Sequence, residues 1–262
     1  LTLYSFGPGA NSLKPLLTLY EKGLEFKSVF LNPGKFEHHS DWFKKINPNG
    51  QVPVLDHDGK IITESTVICE YLEDELPTSP PLRPVDSYGK AQMRVWTKWV
   101  DEYFCWCVST IGWHRMVGNM VKHLSEAEFD QMVANIPLKE QQVKWRRARE
   151  GFPQEMLDEE MRKIAYSIRK LEARLAVSPW LAGEQYTLAD ICNFAIANGM
   201  QMGFAELVNE KDSPRLMDWM RRINDRPACK LMFDRQPSEW AERRRQQGQQ
   251  DGSPSVQTNP SR

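Results

Sequence analysis

Hydrophobic positions in the first eighty residues follow two different periods, which predicts a domain that mixes strands with helices. In chain order, the predicted strands cover residues 1–6, 26–31, 52–55 and 60–63, and the predicted helices cover residues 13–22, 41–46 and 64–76. The turn sequence Asp56-His57-Asp58-Gly59 separates the last two strands, as in a β-hairpin. This order is typical of a small mixed sheet, with one parallel crossover and one antiparallel hairpin, that is covered by helices.

The rest of the chain shows almost only the helical period. From residue 87, apolar residues recur at helical spacing over about 150 residues. Breaks are predicted near Gly112, Pro137, Pro153, Pro179 and Pro214. We therefore expect an N-terminal domain at 1–78, a proline-rich linker at 79–85 and an all-helical domain at 86–236. Residues 237–262 are nearly all polar, which predicts a disordered tail.

Composition excludes several classes of function. The 34 Lys and Arg residues nearly balance the 35 Asp and Glu residues, so the net charge is −1 and there is no basic field for nucleic acid. No apolar run approaches the roughly 20 residues that span a bilayer, so no membrane association is expected. The N-terminus does not resemble an export signal. We therefore expect a cytoplasmic protein.

Cysteine usage is consistent with a reducing compartment. The 5 cysteines are an odd number and are scattered among apolar helical patterns, which does not predict a disulfide framework. Cys105 and Cys107 are two residues apart, so on a helix they point to different sides. No histidine or second cysteine pair has metal-ligand spacing to them. We therefore interpret the cysteines as small apolar residues and expect no metal site.

Three motifs carry a resemblance to a known family. They are the segments NPNGQVPVL at 47–55, TES at 63–65 and GEQYTLAD at 183–190. In this order, the chain resembles the glutathione S-transferase superfamily over nearly its whole length. Three further segments, at 3–15, 95–108 and 144–149, make it similar to the bacterial lignin-degrading β-etherases of the type that acts on the S enantiomer. The third motif also matches a capping box from Thr187 to Asp190, with a structural role.

The resemblance implies a fold, an activity and partners. The fold would be an α/β thioredoxin-like N-terminal domain plus an all-α C-terminal domain. The activity would be attack of the glutathione thiolate on the β carbon of an α-keto aryl ether, which releases a phenol. Glutathione would be the co-substrate, the second substrate would be a small aromatic ether, and the protein would be a homodimer.

Several residues are implied to hold glutathione. The Val52–Pro53 peptide bond would be cis, and the Val52 main chain beside Gln51 would pair with the peptide of glutathione. Without the resemblance, Pro53 is simply a proline at the start of a strand. Glu64 and Ser65 precede an apolar helix and would hold the γ-glutamyl end, whereas helix capping is the alternative interpretation.

A histidine pair lies where related enzymes bind the glycine carboxylate of glutathione. His38 and His39 would bind this carboxylate best when they are protonated, so we expect the contact to weaken above neutral pH. The alternative interpretation is a pair of exposed loop histidines with no role in binding.

The group that activates the thiol is expected in the first strand-to-helix loop. This loop has no cysteine, and Gly9 stands where serine-type transferases have serine. Asn11 and Ser12 follow close to the predicted helix start, where either side chain, aided by the helix dipole, could donate a hydrogen bond to the thiolate. We expect that at least one of them is only the helix N-cap. Which of the two is the main donor stays open.

Aromatic residues after Glu102 are candidates for the acceptor site. Tyr103, Phe104, Trp106 and Trp113 offer flat apolar surfaces for aryl rings, whereas Trp96 and Trp99 are interpreted as core. Residues 112–155 form a segment that could cover this site, with Gly112, Gly118 and Gly151 as points of movement. The basic run at 144–149 is interpreted as solvated surface or as ion-paired with residues 155–160.

Two other functions stay open at this point. One is a transferase for other electrophiles, such as haloaromatics or epoxides. The other is a non-catalytic protein of the same fold that binds ligands or partners, which the glycine at position 9 favours and the intact glutathione motifs oppose.

Overall fold

A four-stranded mixed sheet forms the centre of the N-terminal domain. The computed structural model describes residues 1–77 and 80–236, so the tail predicted at 237–262 and the start of the linker lie outside the described residues. The strands are β1 (Thr2–Ser5), β2 (Lys27–Phe30), β3 (Val54–His57) and β4 (Lys60–Ile62). Their order is β2-β1-β3-β4; β2 is parallel to β1, and β3 is antiparallel to both β1 and β4. The predicted crossover and hairpin are confirmed.

Helices cover both faces of this sheet because successive side chains of its strands point to opposite faces, and apolar residues occur on both. They are α1 (Ala10–Glu21), α2 (Asp41–Lys44) and α3 (Ser65–Glu75), and two single 3₁₀ turns lie at Pro33–Lys35 and Glu37–His39. Leu3 and Leu55 are buried with α1 and α3 on one face. Val54 is buried with Phe43 of α2 on the other face. The alternation of residues 54 and 55 thus assigns each helix to its face.

Ten helices follow in the second half of the described chain. They are α4 (Ser87–Trp99), α5 (Cys105–Gly112), α6 (Gly118–Val121), α7 (Glu126–Ala134), α8 (Lys139–Glu150), α9 (Gln154–Leu175), α10 (Leu188–Ala197), α11 (Met200–Gly203), α12 (Pro214–Asn224) and α13 (Pro227–Asp234). The predicted breaks at the four prolines are confirmed, since Pro137, Pro153 and Pro179 lie between helices and Pro214 begins one.

The break predicted at Gly112 is wrong. Two π-helical turns, Val100–Phe104 and Trp113–Val117, join α4, α5 and α6 into one continuous helix. Gly112 itself has helical dihedral angles. A lone glycine weakens a helix by about 1 kcal/mol relative to alanine but does not end it, and here the flanking residues pack well enough to continue the helix.

Helix α10 lies at the centre of the helical domain, and all of its residues are buried. It begins with the predicted capping box of Thr187 and Asp190, which is confirmed. The Asp190 carboxylate also accepts hydrogen bonds from the Leu181 N–H at 2.9 Å and from the Trp219 indole N–H at 3.0 Å. Burial raises the pKa of Asp190 to about 6. Its role is therefore structural, as expected.

The segment 112–155 builds a small core of its own. Buried residues of α6, α7 and α8 pack together with the loop before α8; they are Val121, Phe129, Val133, Ile136 and Trp145. Phe36 of the N-terminal domain packs on Trp145, with ring centroids 5.4 Å apart. The predicted hinge role of Gly118 is wrong, because a Cβ there would lie 2.1 Å from the Ala148 carbonyl oxygen. Gly118 is a close crossing point of two helices.

Candidate active site

Three predicted site segments meet at one edge of the sheet. β1 runs to Ser5, and its register with β3 pairs Tyr4 with Val54. The Val52–Pro53 peptide, which directly precedes β3, is cis, as the resemblance implied. If the β3–β4 register of Leu55 with Ile62 is continued by two residues, Pro53 comes opposite Glu64. The loop after β1, the cis peptide and the start of α3 therefore lie side by side.

The first turn of α1 presents Asn11 and Ser12. The Ser12 hydroxyl accepts a hydrogen bond from the Phe6 N–H at 3.3 Å, and this leaves its own proton for another acceptor. The N-cap of α1 is Gly9, whose backbone is extended, and no side chain caps the helix. The expectation that Asn11 or Ser12 is the N-cap is therefore wrong, because both residues already lie inside the helix.

The start of α3 has an unusual backbone. Glu64 is exposed and has a φ of 64°, a conformation that is costly for a residue with a side chain. Ser65 follows as a buried residue. Neither side chain caps α3, so the capping interpretation is wrong. The exposed Glu64 carboxylate remains available to a positively charged group of a ligand, and the uncapped N–H groups at the helix start remain available to a negatively charged one.

The loop before the cis peptide is held by a side chain that the sequence analysis missed. Asn47, which is buried, donates to the Gln51 carbonyl oxygen at 2.8 Å and accepts from the Asn49 N–H at 3.1 Å. Gly50 has a φ of 60°, and a Cβ there would lie 2.9 Å from the His39 ring. Asn47 thus fixes the main chain of Gln51. Its signal in the sequence is an asparagine followed by Pro48, typical of a turn.

The two histidines are half-buried, so their interpretation as exposed loop residues is wrong. Their rings lie 3.9 Å apart, and Phe6 contacts His38 edge-on at 4.9 Å. Burial, with a smaller effect of His39, lowers the pKa of His38 to about 3. Burial, with a smaller effect of Lys44, lowers the pKa of His39 to about 4. Both rings are therefore neutral at pH 7 unless a bound carboxylate raises these values.

A second group of side chains lies next to Asn11, and we call it the acceptor cluster: Cys105, Trp106, Ser109, Trp113 and Lys144. The Cys105 thiol donates to the Asn11 amide oxygen at 3.7 Å, which connects this cluster to the first turn of α1. The Lys144 ammonium donates to the Ser109 hydroxyl at 2.9 Å. It lies 5.6 Å from the ring centroid of Trp106 and 4.6 Å from that of Trp113.

The predicted acceptor residues divide into two groups. Trp106, which is 57% exposed, and Trp113 are brought together by Lys144. Phe104 is fully buried and stacks on Trp99 at 5.2 Å, so its predicted place in the acceptor site is wrong. Tyr103 contacts the rings of Trp99 and Tyr166 instead of the acceptor cluster. The interpretation of Trp96 as core is confirmed, and Trp99 packs against the same core.

Lys144 does not fit the interpretation of the run at 144–149 as solvated surface or as ion-paired with residues 155–160. Arg146 does form an ion pair, but with Asp130 at 2.7 Å. Lys144 turns inward, and burial lowers its pKa to about 8 against an opposing effect of Cys105. Helical spacing could have identified Lys144 as an inward-facing residue, since it lies one turn before the buried Ala148 of α8.

An ion pair holds α1 against the long helix. Lys14 is fully buried and its ammonium pairs with Asp101 in the first π-helical turn. Because breaking a buried pair leaves an uncompensated charge, this contact restricts how α1 can sit on that helix. The pair therefore sets the position of Asn11 relative to the acceptor cluster.

Metal sites and membrane-spanning helices can be considered for the described residues, 1–77 and 80–236. In this part of the chain, no group of His, Cys, Asp and Glu side chains is arranged to hold a metal ion. None of its helices combines the length and the apolar character that crossing a bilayer requires.

Comparison with known proteins agrees with this geometry. Family models for the glutathione S-transferase N-terminal and C-terminal domains match residues 1–74 and 124–227. Protein LigF of Sphingobium sp. (strain NBRC 103272 / SYK-6) is 62% identical over 244 residues, which is 91% of this chain and 95% of LigF. The chain belongs to the glutathione S-transferase family.

Solved structures of similar proteins support the same fold. The crystal structure of the beta-etherase LigF from Sphingobium sp. strain SYK-6 superposes with a TM-score of 0.88, over 90% of this chain and 99% of that one. Glutathione transferase F7 from Populus trichocarpa, at 24% identity, superposes with a TM-score of 0.68 over 89% of this chain and 97% of that one. The predicted family and fold class are confirmed.

Proposed function

We propose that this glutathione S-transferase is a glutathione-dependent β-etherase. It cleaves the β-aryl ether bond of lignin-derived α-keto aryl ethers and releases a phenol and a glutathione thioether. The observation that carries the proposal is the 62% identity to LigF over nearly the full length of both chains, together with the TM-score of 0.88 to the beta-etherase structure. The acceptor cluster beside Asn11 supports it, because two tryptophans can take aryl rings.

Glutathione binds along the edge of the sheet in this proposal. The main chain of Gln51 and Val52, ahead of Pro53, pairs with its peptide, as an added strand would. Glu64 receives its ammonium group, and Ser65 with the first N–H groups of α3 receives its γ-glutamyl carboxylate. We assign its glycine carboxylate to His38 and His39, which lie beside Gly50 in the loop before the cis peptide. No metal takes part, so phenol release should not change when a chelator is added.

The thiolate lies at the start of α1. Donors that stabilise an anion lower its pKa and make the thiolate available at neutral pH. The Ser12 hydroxyl still has a proton to donate after it accepts from the Phe6 N–H. The amide of Asn11 can donate through its NH₂ while its oxygen accepts from Cys105. Both donors belong to one helix turn, so they act together with the helix dipole.

The reaction is an in-line displacement. The thiolate attacks the β carbon, whose ketone neighbour accelerates displacement, and the electron pair of the breaking C–O bond goes to the aryl oxygen. The configuration at the β carbon inverts. The protein contributes orientation and a site that favours the thiolate and the leaving oxygen.

A phenol-release assay tests this function. A racemic β-aryl ether ketone is incubated with glutathione and the protein, and the released phenol and the remaining enantiomers are measured by chiral chromatography. We expect the S enantiomer to be consumed and a glutathione thioether to form in equal amount. Turnover of haloaromatics or epoxides without ether cleavage would make it a transferase for other electrophiles. Glutathione binding with no turnover of either would make it a binding protein.

We also propose that the protein is a cytoplasmic homodimer with the predicted domain boundaries, which binds neither nucleic acid nor membrane. Val67 of α3 and Val95 of α4 are 55% and 56% exposed. Glu70 and Arg94, their neighbours, form an ion pair that ties the two helices together. An exposed apolar surface on two adjacent helices fits a second copy of this chain.

A further inference from the structure

We propose that Lys144 stabilises and protonates the leaving aryl oxygen in ether cleavage. This inference rests on the proposed β-etherase function. Lys144 would be a catalytic residue at the opposite end of the reacting centre from Asn11 and Ser12, which act on the thiolate.

The first support is the setting of the ammonium group. Lys144 is half-buried, and the aromatic faces of Trp106 and Trp113 lie within cation–π distance of its Nζ. Its hydrogen bond to Ser109 uses one of three N–H donors. No carboxylate forms a salt bridge with Lys144 in the described part of the chain. A half-buried cation of this kind is suited to an anion that arrives with a ligand.

The second support is its place relative to the thiolate. Cys105 donates to the Asn11 amide oxygen, and Ser109, which accepts from Lys144, lies four residues further along α5 on the same side of the helix. Asn11 and Lys144 therefore contact side chains that lie one helical turn apart on α5. An aryl ring on Trp106 or Trp113 would have its ether oxygen near the ammonium while its β carbon faces the thiolate.

The chemistry balances with the groups present. Glutathione loses its thiol proton to solvent before attack. The C–S bond forms as the C–O bond breaks, and the aryl oxygen takes the electron pair and then a proton from the Lys144 ammonium. Burial lowers the pKa of Lys144 to about 8, whereas a phenol has a pKa of about 10, so this transfer is downhill. The lysine amine regains a proton from solvent, and the net products are a phenol and a thioether.

The test varies the leaving phenol. Lys144→Met is assayed with aryl ethers whose released phenols range from methoxyphenols, which have a pKa near that of phenol, to nitrophenols, which are markedly more acidic. Loss of one preorganised donor to an oxyanion costs about 100-fold in kcat, so we expect that loss for methoxyphenols. For nitrophenols, which leave without help, we expect a loss below about threefold, and so a steeper dependence of kcat on phenol pKa. Lys139→Met, at an exposed lysine of the same helix, is the matched control and should match the wild type.

Two further measurements separate this role from folding and from the proposed function. The Kd of glutathione, measured by tryptophan fluorescence, should be unchanged in Lys144→Met, and Lys144→Gln should show the same dependence on the phenol if the methionine variant is poorly folded. An equal loss for every phenol would overturn the proposal and leave Lys144 as a packing residue. If the wild type released none of the phenols, the β-etherase function itself would fail.

Discussion

The first turn of α1 has two side chains that can donate to the sulfur atom of glutathione. A different neighbouring group positions each of them. Ser12 is positioned by the Phe6 N–H and Asn11 by the Cys105 thiol. A charge-assisted hydrogen bond contributes roughly 1.5–3 kcal/mol, which is about 10- to 100-fold in rate. Because the second donor remains, we expect Ser12→Ala to slow ether cleavage by less than this factor and to keep measurable activity.

The double variant Asn11→Ala, Ser12→Ala should cleave the ether more slowly than either single variant. The pH dependence of thiolate absorbance with bound glutathione measures the cause directly, since each lost donor should raise the thiol pKa. Abolished activity in Ser12→Ala with intact glutathione binding would contradict shared donation and make Ser12 the sole activator.

Glu64 combines an exposed carboxylate with a positive φ, and two substitutions separate these features. Glu64→Ala and Glu64→Gly should both raise the KM for glutathione about tenfold or more, because a charge-assisted contact to a ligand is lost. Only glycine adopts the positive φ of position 64 without strain, so the free energy of unfolding of Glu64→Gly should exceed that of Glu64→Ala by roughly 1 kcal/mol. Ser65→Ala should likewise raise KM with little change in Tm, since Ser65 does not cap α3. A large loss of Tm with unchanged KM would point to a structural role.

The two half-buried histidines make stability depend on pH. In the folded protein the pKa of His38 is about 3, below its ordinary value of 6.5. Between these values the unfolded chain binds more protons, so the free energy of unfolding falls as the pH falls below 6.5. One such histidine contributes at most about 1.4 kcal/mol per pH unit.

Substitution of this histidine checks the effect. Urea unfolding of His38→Gln in the absence of glutathione should show a smaller decline between pH 6.5 and pH 4 than the wild type. His123→Gln, at an exposed histidine, should follow the wild-type curve. Identical curves for all three proteins would mean that His38 is not held neutral.

At the scale of elements, two glycines on the same long helix have opposite surroundings. A Cβ at Gly118 would lie 2.1 Å from the Ala148 carbonyl oxygen, so Gly118→Ala must push α6 and α8 apart. Overpacking of this kind costs about 1–3 kcal/mol or more. At Gly112 the nearest atom is 3.6 Å away, at the end of the flexible Met116 side chain. Gly112→Ala should therefore stabilise the helix by up to about 1 kcal/mol.

Thermal unfolding of the two variants measures this contrast, with a lower Tm for Gly118→Ala and an equal or higher Tm for Gly112→Ala. The same substitution at Gly118 should also weaken ether cleavage, because α8 carries Lys144. If both variants had the same Tm, the close crossing of α6 and α8 would be wrong.

For the whole molecule, the proposed dimer gives a separate prediction. Light scattering of the wild type at micromolar concentration should give twice the monomer mass. Val67→Asp or Val95→Asp should shift the mass toward the monomer, because a buried unpaired carboxylate is costly at an apolar interface. Val177→Asp, at a valine that is 76% exposed elsewhere on the chain, is the control and should stay dimeric. A monomer in the wild type would refute the dimer.

Much of the architecture follows from short stretches of sequence. Alternation of apolar and polar residues over positions 1–6 produces β1, and the turn at Asp56-His57-Asp58-Gly59 joins β3 to β4 in a hairpin. The box from Thr187 to Asp190 begins α10 through contacts between residues three apart. These interactions are local, so a pattern along the chain is enough to predict them. The three motifs also predict the family, and the family resemblance in turn predicts the cis Val52–Pro53 peptide bond.

The contacts of each side chain in the site depend on packing between distant parts of the chain. The patterns did not distinguish Phe104, which stacks in the core, from Trp106, which stays exposed, or a solvated Lys144 from one that turns toward Trp113. The Asn11–Cys105 contact joins residues 94 positions apart, and the Lys144–Ser109 contact joins residues 35 apart. Apart from the break expected at Gly112, the main elements, their order and the family can be predicted from the chain alone, because these depend on near neighbours. The packing of distant helices determined the acceptor cluster, because only folding brings its members together.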